Sequence, residues 1–165
     1  RLGQPERDWF GRFSEPVEPL TRLPKARLAG AAAHEHPLQV RWSDLDSYRH
    51  ANNLKFYDYV QEARIALMER VGAEGALGPE RVGQWMVARQ DMDYVAQIDF
   101  RPEPYLVRTG VQRIGTASLT LAAEIVDAGV VLAASRTVLV HTTDGEATPI
   151  PAWVRDQLAP WTLEN

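Results

Sequence analysis

The 165-residue sequence contains no cysteine, which excludes disulfides, thiolate nucleophiles and cysteine-ligated metal sites. No apolar run approaches the roughly 18 residues that a membrane-spanning helix needs. The formal net charge is −4, so nothing in the composition favours a nucleic-acid partner. Hydrophobic residues make up 45% of the chain and charged residues 24%, which is ordinary for a globular domain. We expect a cytoplasmic protein that binds neither membrane nor nucleic acid.

Residues 1–35 differ from the rest of the chain. Prolines interrupt every candidate helix in this part, at Pro5, Pro16, Pro19 and Pro24. We predict an N-terminal arm over residues 1–35, extended or partly ordered, and one folded domain over residues 36–165. The run from His34 to His36 could suggest a metal site, but it adjoins Pro37. We interpret that run as a solvated edge and predict no metal.

Hydrophobic periodicity predicts a strand, a long helix and then four more strands. The first strand covers residues 36–42. Apolar residues spaced by three and four predict a helix from Leu54 onward, which Gly72 and Gly75 end. Later strands are predicted at residues 85–95, 105–113, 118–125 and 130–142, before a short helix at 152–158. The hairpins imply an antiparallel sheet, so we predict an α+β domain whose sheet curls around the long helix.

The turn between the first strand and the long helix is dense in polar side chains. These are Asp44, Asp46, Ser47, Tyr48, Arg49, His50, Asn52 and Asn53. A helix N-terminus supplies free N–H groups and the positive end of a dipole, so carboxylates and an imidazole beside it are a good setting for chemistry. Asn52 or Asn53 is the expected N-cap. On the residues alone, Asp44 and Asp46 could equally be turn-forming residues.

Three short runs in this region resemble a known motif: Asp44-Leu45-Asp46, His50-Ala51-Asn52-Asn53 and Glu62-Ala63-Arg64. They are similar to D-x-D-x-x-G-H-V-N-N-x-x-Y and a later E-A-R in hotdog-fold acyl thioesterases of the 4-hydroxybenzoyl-CoA and acyl-ACP thioesterase type. The resemblance covers about residues 36–158. It implies a hotdog fold, and hydrolysis of an acyl-CoA or acyl-ACP to free acid and thiol. No cofactor is implied apart from the CoA or acyl carrier of the substrate itself.

The chain departs from that motif at three positions. Arg49 replaces the family's glycine, Phe56 replaces its tyrosine, and Tyr48 stands where plant-type enzymes place a catalytic asparagine. The last departure favours the bacterial acyl-CoA branch, in which the second aspartate of D-x-D acts. By resemblance, that residue is Asp46.

The resemblance therefore assigns catalysis to Asp46, either as general base for water or as a nucleophile that forms an anhydride. A leaving thiol with a pKa of roughly 8.5, by analogy with cysteine, needs little help from a general acid. The backbone amides near Asn53 and Leu54 are the expected oxyanion donors, and His50 and Asn52 are further candidates for oxyanion or substrate binding. Asp44 is expected to brace the turn.

Two other functions stay open for such a fold: a dehydratase or hydratase acting on acyl thioesters, and a non-catalytic acyl-binding or assembly module. A single curled sheet leaves an edge strand open, and family members pair their sheets, so we expect a homodimer or homotetramer. The phosphates of CoA would need arginine or lysine. The candidates are Arg101, Arg108, Arg113 and Arg136.

Overall fold

The computed structural model describes residue 28, residues 32–72 and residues 84–163. Most of the predicted N-terminal arm and Gly75 lie outside these residues. The strands are β1 (His34–Leu38), β2 (Gln84–Tyr94), β3 (Tyr105–Ile114), β4 (Ser118–Asp127), β5 (Val130–Thr143) and β6 (Glu146–Ala147). The helices are α1 (Lys55–Val71) and α2 (Ala152–Leu158), with short 3-10 turns at Trp42–Asp44 and Ala159–Trp161.

All six strands form one antiparallel sheet in the order β1-β3-β4-β5-β2, with β6 paired to the end of β5. Consecutive strands β3, β4 and β5 are joined by hairpins. Their registers shift at bulges near Val111 in β3 and Ile125 in β4, and such bulges increase the local twist. The sheet therefore matches the antiparallel arrangement predicted from the hairpin signals.

Helix α1 lies across one face of this sheet and contributes side chains to both apolar clusters of the core. Its buried side chains recur at spacings of three and four: Phe56, Tyr59, Val60, Ala63, Leu67 and Val71. Near its start the helix packs with Val107 and Ile125, and near its end with Val111 and Leu139. Two apolar clusters thus fix α1 on the sheet, and its N-terminus lies beside the polar turn.

Two predicted boundaries near the turn are wrong. β1 ends at Leu38, four residues before the predicted end of the strand, and begins at His34. The chain then forms a 3-10 turn, because Arg41 N–H donates to Asp44 Oδ2 at 2.8 Å and Asp44 N–H donates to Arg41 O at 3.0 Å. Such side-chain bonds to the local backbone compete with strand pairing.

The predicted N-cap is also wrong. Leu54 occupies the N-cap position of α1 and makes no side-chain capping hydrogen bond. Asn52, two residues before the N-cap, accepts the Leu54 N–H on its Oδ1 at 3.0 Å. The asparagine therefore stabilises the approach to the helix rather than its first turn.

Among the described residues, no helix is long and apolar enough to cross a membrane. The cytoplasmic location stays a prediction from the sequence.

Candidate active site

The polar turn between β1 and α1 is closed by its own backbone. Asp46 N–H donates to His50 O at 2.9 Å, and Arg49 N–H donates to Asp46 O at 3.0 Å. The turn is also tied to the segment after β2, because Ala51 N–H donates to Ile98 O at 2.8 Å. These bonds hold the carboxylate of Asp46 and the imidazole of His50 in fixed positions near the start of α1.

The two carboxylate oxygens of Asp46 have different surroundings. Oδ1 accepts the Tyr48 N–H at 2.8 Å and the His50 N–H at 3.4 Å. Within the part of the chain that the structure describes, no hydrogen bond ends on Oδ2. The half-buried side chain is thus anchored through one oxygen, and the other is free to take up a proton or to attack a substrate.

Asp44 has the opposite character. Its side chain is 7% exposed, and its Oδ2 accepts both the Arg41 N–H at 2.8 Å and the Tyr59 hydroxyl at 3.0 Å. Burial, and after it the hydrogen bond to Asp44, raises the pKa of Tyr59 well above its ordinary value. Asp44 therefore links the turn to the buried face of α1, as a brace does.

The start of α1 offers backbone N–H groups to the same region. Leu54 N–H, one of the predicted oxyanion donors, is occupied by Asn52 Oδ1, and Lys55 N–H donates to Asn52 O at 2.8 Å. Among the described residues the N–H of Asn53 has no acceptor. Asn53 directly precedes the N-cap Leu54, close to the positive end of the helix dipole, so its N–H can donate a hydrogen bond to an anion.

An open pocket of about 540 Å³ brings these groups together. Its lining includes Asp46, His50 and Asn53 but neither Asn52 nor Leu54. The pocket is lined by Asp46, Tyr48, His50, Ala51, Asn53, Phe56, Tyr94, Val95, Ala96 and Gln97. Three of the five predicted site residues therefore share one pocket, and the other two, Asn52 and Leu54, are not part of its lining.

The end of β2 forms one wall of the pocket, which the sequence analysis did not predict. Tyr94 donates its hydroxyl to Asn53 O at 3.2 Å, and its ring meets Phe56 edge-on at 5.1 Å. Burial, followed by the neighbouring Tyr57, raises the pKa of Tyr94, so its hydroxyl keeps its proton at neutral pH. A tyrosine at the end of a strand carries no local signal for this role.

His50 is half-buried, and its ring lies near a further carboxylate. Its Nε2 is 3.9 Å from Asp99 Oδ1, where the backbones of the two residues form an isolated bridge. At that distance the pair makes at most a weak ionic contact when the histidine is protonated. The imidazole is therefore placed beside Asp46 without being locked by a strong partner.

Glu62 and Arg64 lie away from this pocket. Glu62 is exposed and lines a second pocket of about 350 Å³, together with residues of β1 and the start of α1. Arg64 is half-buried, and burial lowers its pKa. The two side chains thus belong to different surroundings and do not join Asp46.

Three of the four arginines proposed for phosphate binding are already paired with carboxylates. Arg101 makes two bonds of 2.8 Å to Asp127, and its guanidinium lies over the Tyr105 ring at 3.8 Å. The other two pairs are Arg108 with Glu35 at 3.1 Å and Arg136 with Asp91 at 2.9 Å. Arg113 is exposed at the end of β3 remote from Tyr105.

The described residues contain no group of three or more histidine, aspartate or glutamate side chains that could hold a metal ion.

The fold and the pocket define a hotdog domain with a carboxylate beside the start of its central helix. The family model of the thioesterase-like superfamily matches residues 40–158, and the chain belongs to that superfamily. The α+β hotdog fold predicted from the sequence is thereby confirmed. No curated protein matches the chain.

Solved structures agree with this assignment. A predicted thioesterase from Bacillus stearothermophilus is 28% identical, with a TM-score of 0.72 over 81% of this chain and 98% of that chain. A thioesterase complexed with coenzyme A and Zn from Thermus thermophilus is 27% identical, with a TM-score of 0.67 over 79% and 93%. A thioesterase superfamily structure from Jannaschia sp. CCS1 has a TM-score of 0.74 over 88% and 99%. At 21% identity, that structure supports the fold alone.

Proposed function

We propose that this protein hydrolyses an acyl-CoA to the free acid and CoA, with Asp46 as the catalytic residue. One observation carries the proposal: Asp46 and Asn53 line the same pocket, and among the described residues neither Oδ2 of Asp46 nor the N–H of Asn53 has a hydrogen-bond partner. A carboxylate that can act on water or carbonyl carbon, beside a donor for the developing oxyanion, meets the main needs of thioester hydrolysis.

In the general-base route, Oδ2 takes a proton from water while the water oxygen adds to the thioester carbonyl carbon. Asn53 N–H then stabilises the negative charge on the carbonyl oxygen. The intermediate collapses, the C–S bond breaks, and the thiolate of CoA leaves and regains a proton. Tyr94 and His50 line the same pocket and can contact the substrate.

In the nucleophilic route, Oδ2 attacks the carbonyl carbon, the C–S bond breaks and CoA leaves as a thiolate that regains a proton. Water then hydrolyses the resulting mixed anhydride to the free acid and the carboxylate of Asp46. The anchored Oδ1 and the free Oδ2 serve either route. A single turnover in water labelled with oxygen-18 separates the two routes. The anhydride route leaves label in Asp46 when water attacks its carboxyl carbon, whereas the general-base route leaves none.

Two findings support CoA as the leaving group. The chain belongs to a thioesterase-like superfamily, and a similar structure, the one from Thermus thermophilus, is complexed with coenzyme A. We therefore propose an acyl-CoA in preference to an acyl carrier protein, with the acyl chain to be identified by assay.

We further propose that the protein acts as a homodimer formed through β2. This strand of 11 residues lies at one end of the sheet order and has exposed Met86 and Val87. An open edge of this kind readily pairs with another strand. The end of β2 also forms the pocket wall at Tyr94, so a second copy would extend the pocket. Light scattering that shows an active monomer would rule out this assembly.

The proposed function is tested by release of thiol from a panel of acyl-CoAs. The protein has no cysteine, so a thiol reagent reports only the CoA that is released. We expect turnover with at least one member of the panel. Binding of acyl-CoA without thiol release would favour the binding module. Hydration of an enoyl-CoA without thiol release would favour the hydratase.

A further inference from the structure

Arg49 adopts a backbone conformation that its side chain disfavours. Its φ is 65°, in the left-handed region that glycine occupies at lower cost than any residue with a Cβ. The conformation is imposed by the turn, because Arg49 N–H donates to Asp46 O at 3.0 Å. Strained residues of this kind concentrate at functional sites, so the arginine calls for an explanation beyond turn formation.

The guanidinium of Arg49 is available for a ligand. Arg49 is exposed, and it forms no ion pair with any carboxylate of the described residues. In the sequence, Arg49 lies between Tyr48 and His50, which both line the pocket. By contrast, Lys55 at the start of α1 is paired with Asp58 at 2.9 Å.

The charge of the pocket makes a free cation at this position significant. Its lining residues include the carboxylate of Asp46 and no arginine or lysine. A substrate that carries phosphates would be repelled by that carboxylate unless a cation offsets the charge. Arg101 and Arg108 are each paired with a carboxylate of their own, and Arg136 shares Asp91 with Arg89.

We propose that Arg49 binds a phosphate of the CoA portion of the substrate at the mouth of the pocket. The inference rests on the proposed function in one respect, namely that the substrate is a CoA thioester. It makes Arg49 a residue that determines the preference for CoA rather than a catalytic residue. The proposal gives Arg49 the role for which Arg101, Arg108, Arg113 and Arg136 were the candidates from the sequence.

The first test measures the Kd of CoA by calorimetry, which needs no turnover. Arg49→Gln should weaken CoA binding about fivefold, the size expected for one exposed ion pair. Arg49→Gly should weaken it equally, while its Tm stays at or above that of the wild type because glycine relieves the strained φ. Arg70→Gln removes the same charge in the last turn of α1, at the end of the helix remote from the pocket, and should leave Kd unchanged.

The second test compares two thioesters with the same acyl group. KM for the acyl-CoA should rise about fivefold in Arg49→Gln with little change in kcat. KM for the acyl-pantetheine, which lacks every phosphate, should not change. Equal increases in KM for both thioesters would indicate a structural role for Arg49 and overturn the proposal. An effect confined to acyl groups that bear a carboxylate would also overturn it, because the anion would then be in the acyl part.

The outcomes separate this inference from the proposed function. A wild type that binds CoA but releases no thiol contradicts hydrolysis, and weaker CoA binding by Arg49→Gln would still uphold the inference. If the wild type hydrolyses acyl-CoA and Arg49→Gln is unaffected, the proposed function is upheld and the inference about Arg49 is contradicted. A wild type that does not bind CoA, or an Arg70→Gln variant that binds CoA as weakly as Arg49→Gln does, overturns the inference.

Discussion

Replacing Asp46 by asparagine separates the two jobs of its carboxylate. Oδ1 accepts the N–H groups of Tyr48 and His50, and the amide oxygen of asparagine can accept the same two bonds. The NH₂ group then occupies the place of Oδ2, where it can donate but cannot accept a proton or attack a carbonyl. Asp46→Asn should therefore keep the turn and lose the chemistry.

The expected magnitudes follow from this geometry. Loss of a general base lowers kcat by about 10²- to 10⁴-fold. Weakening two hydrogen bonds at a half-buried site costs about 1 kcal/mol of unfolding free energy. For a chain of this size, that is a fall in Tm of about 2–4 °C.

Asp44→Asn is the matched control, with the same chemical change two residues away. Its carboxylate is buried and accepts bonds from Arg41 and Tyr59, and hydrogen bonds to a charged group contribute more than neutral ones. We expect a loss of about 2 kcal/mol in stability and a smaller loss of kcat than in Asp46→Asn. The variant should remain folded at room temperature.

Thiol release measures kcat, and urea unfolding followed by circular dichroism measures stability. If Asp44→Asn abolished turnover while Asp46→Asn retained it, the catalytic role would belong to Asp44. If both variants turned over at the wild-type rate, the assignment of chemistry to this turn would be refuted.

Three further predictions concern stability. Tyr59 has a raised pKa in the folded state, so the stability that this group contributes is present below a pH of about 10 and is lost as the pH rises further. In urea unfolding between pH 7 and 11, the free energy of unfolding of Tyr59→Phe should fall less steeply with pH than that of the wild type. Equal slopes would contradict this prediction. Burial raises the pKa of Glu124 above its ordinary 4.5, so the stability that this group contributes is lost as the pH rises past that value. Glu124→Gln should be more stable than the wild type at pH 7 but not at pH 4. A variant less stable than the wild type at pH 7 would contradict this prediction. Thr109 is buried, and in the described part of the chain its hydroxyl has no hydrogen-bond partner. Thr109→Val should therefore gain about 1 kcal/mol of unfolding free energy. A lower Tm would show that the hydroxyl forms a hydrogen bond.

Local pattern was sufficient to predict the main elements. The spacing of Phe56, Val60, Ala63 and Leu67 predicted α1, and period-two alternation predicted the strands that became β3 and β4. Both signals depend only on neighbours in the chain. The failures lay where a side chain overrode that pattern, as Asp44 does when it closes the 3-10 turn after β1.

The candidate site was predictable only in part. The polar turn placed Asp46, His50 and Asn53 close together in sequence, and the structure keeps them in one pocket. Tyr94 joins them from β2, and its contact with Asn53 spans 41 positions of the chain. No local pattern in the sequence indicates such a contact, because it depends on how the sheet packs against α1.

The sequence by itself determined an α+β domain with one long helix and the turn that holds the reactive groups, since hydrophobic periodicity and turn chemistry act over a few residues. The resemblance of the turn to a family motif added the hotdog fold. The structure showed which oxygen of Asp46 is bonded and that the Leu54 amide is occupied, both through local contacts two residues apart. Only the tertiary structure decided which arginines are paired with carboxylates. Each of these depends on distances between atoms. Arg101 and Asp127, for example, meet because Arg101 lies shortly before β3, Asp127 ends β4, and the pairing of β3 with β4 brings these positions together.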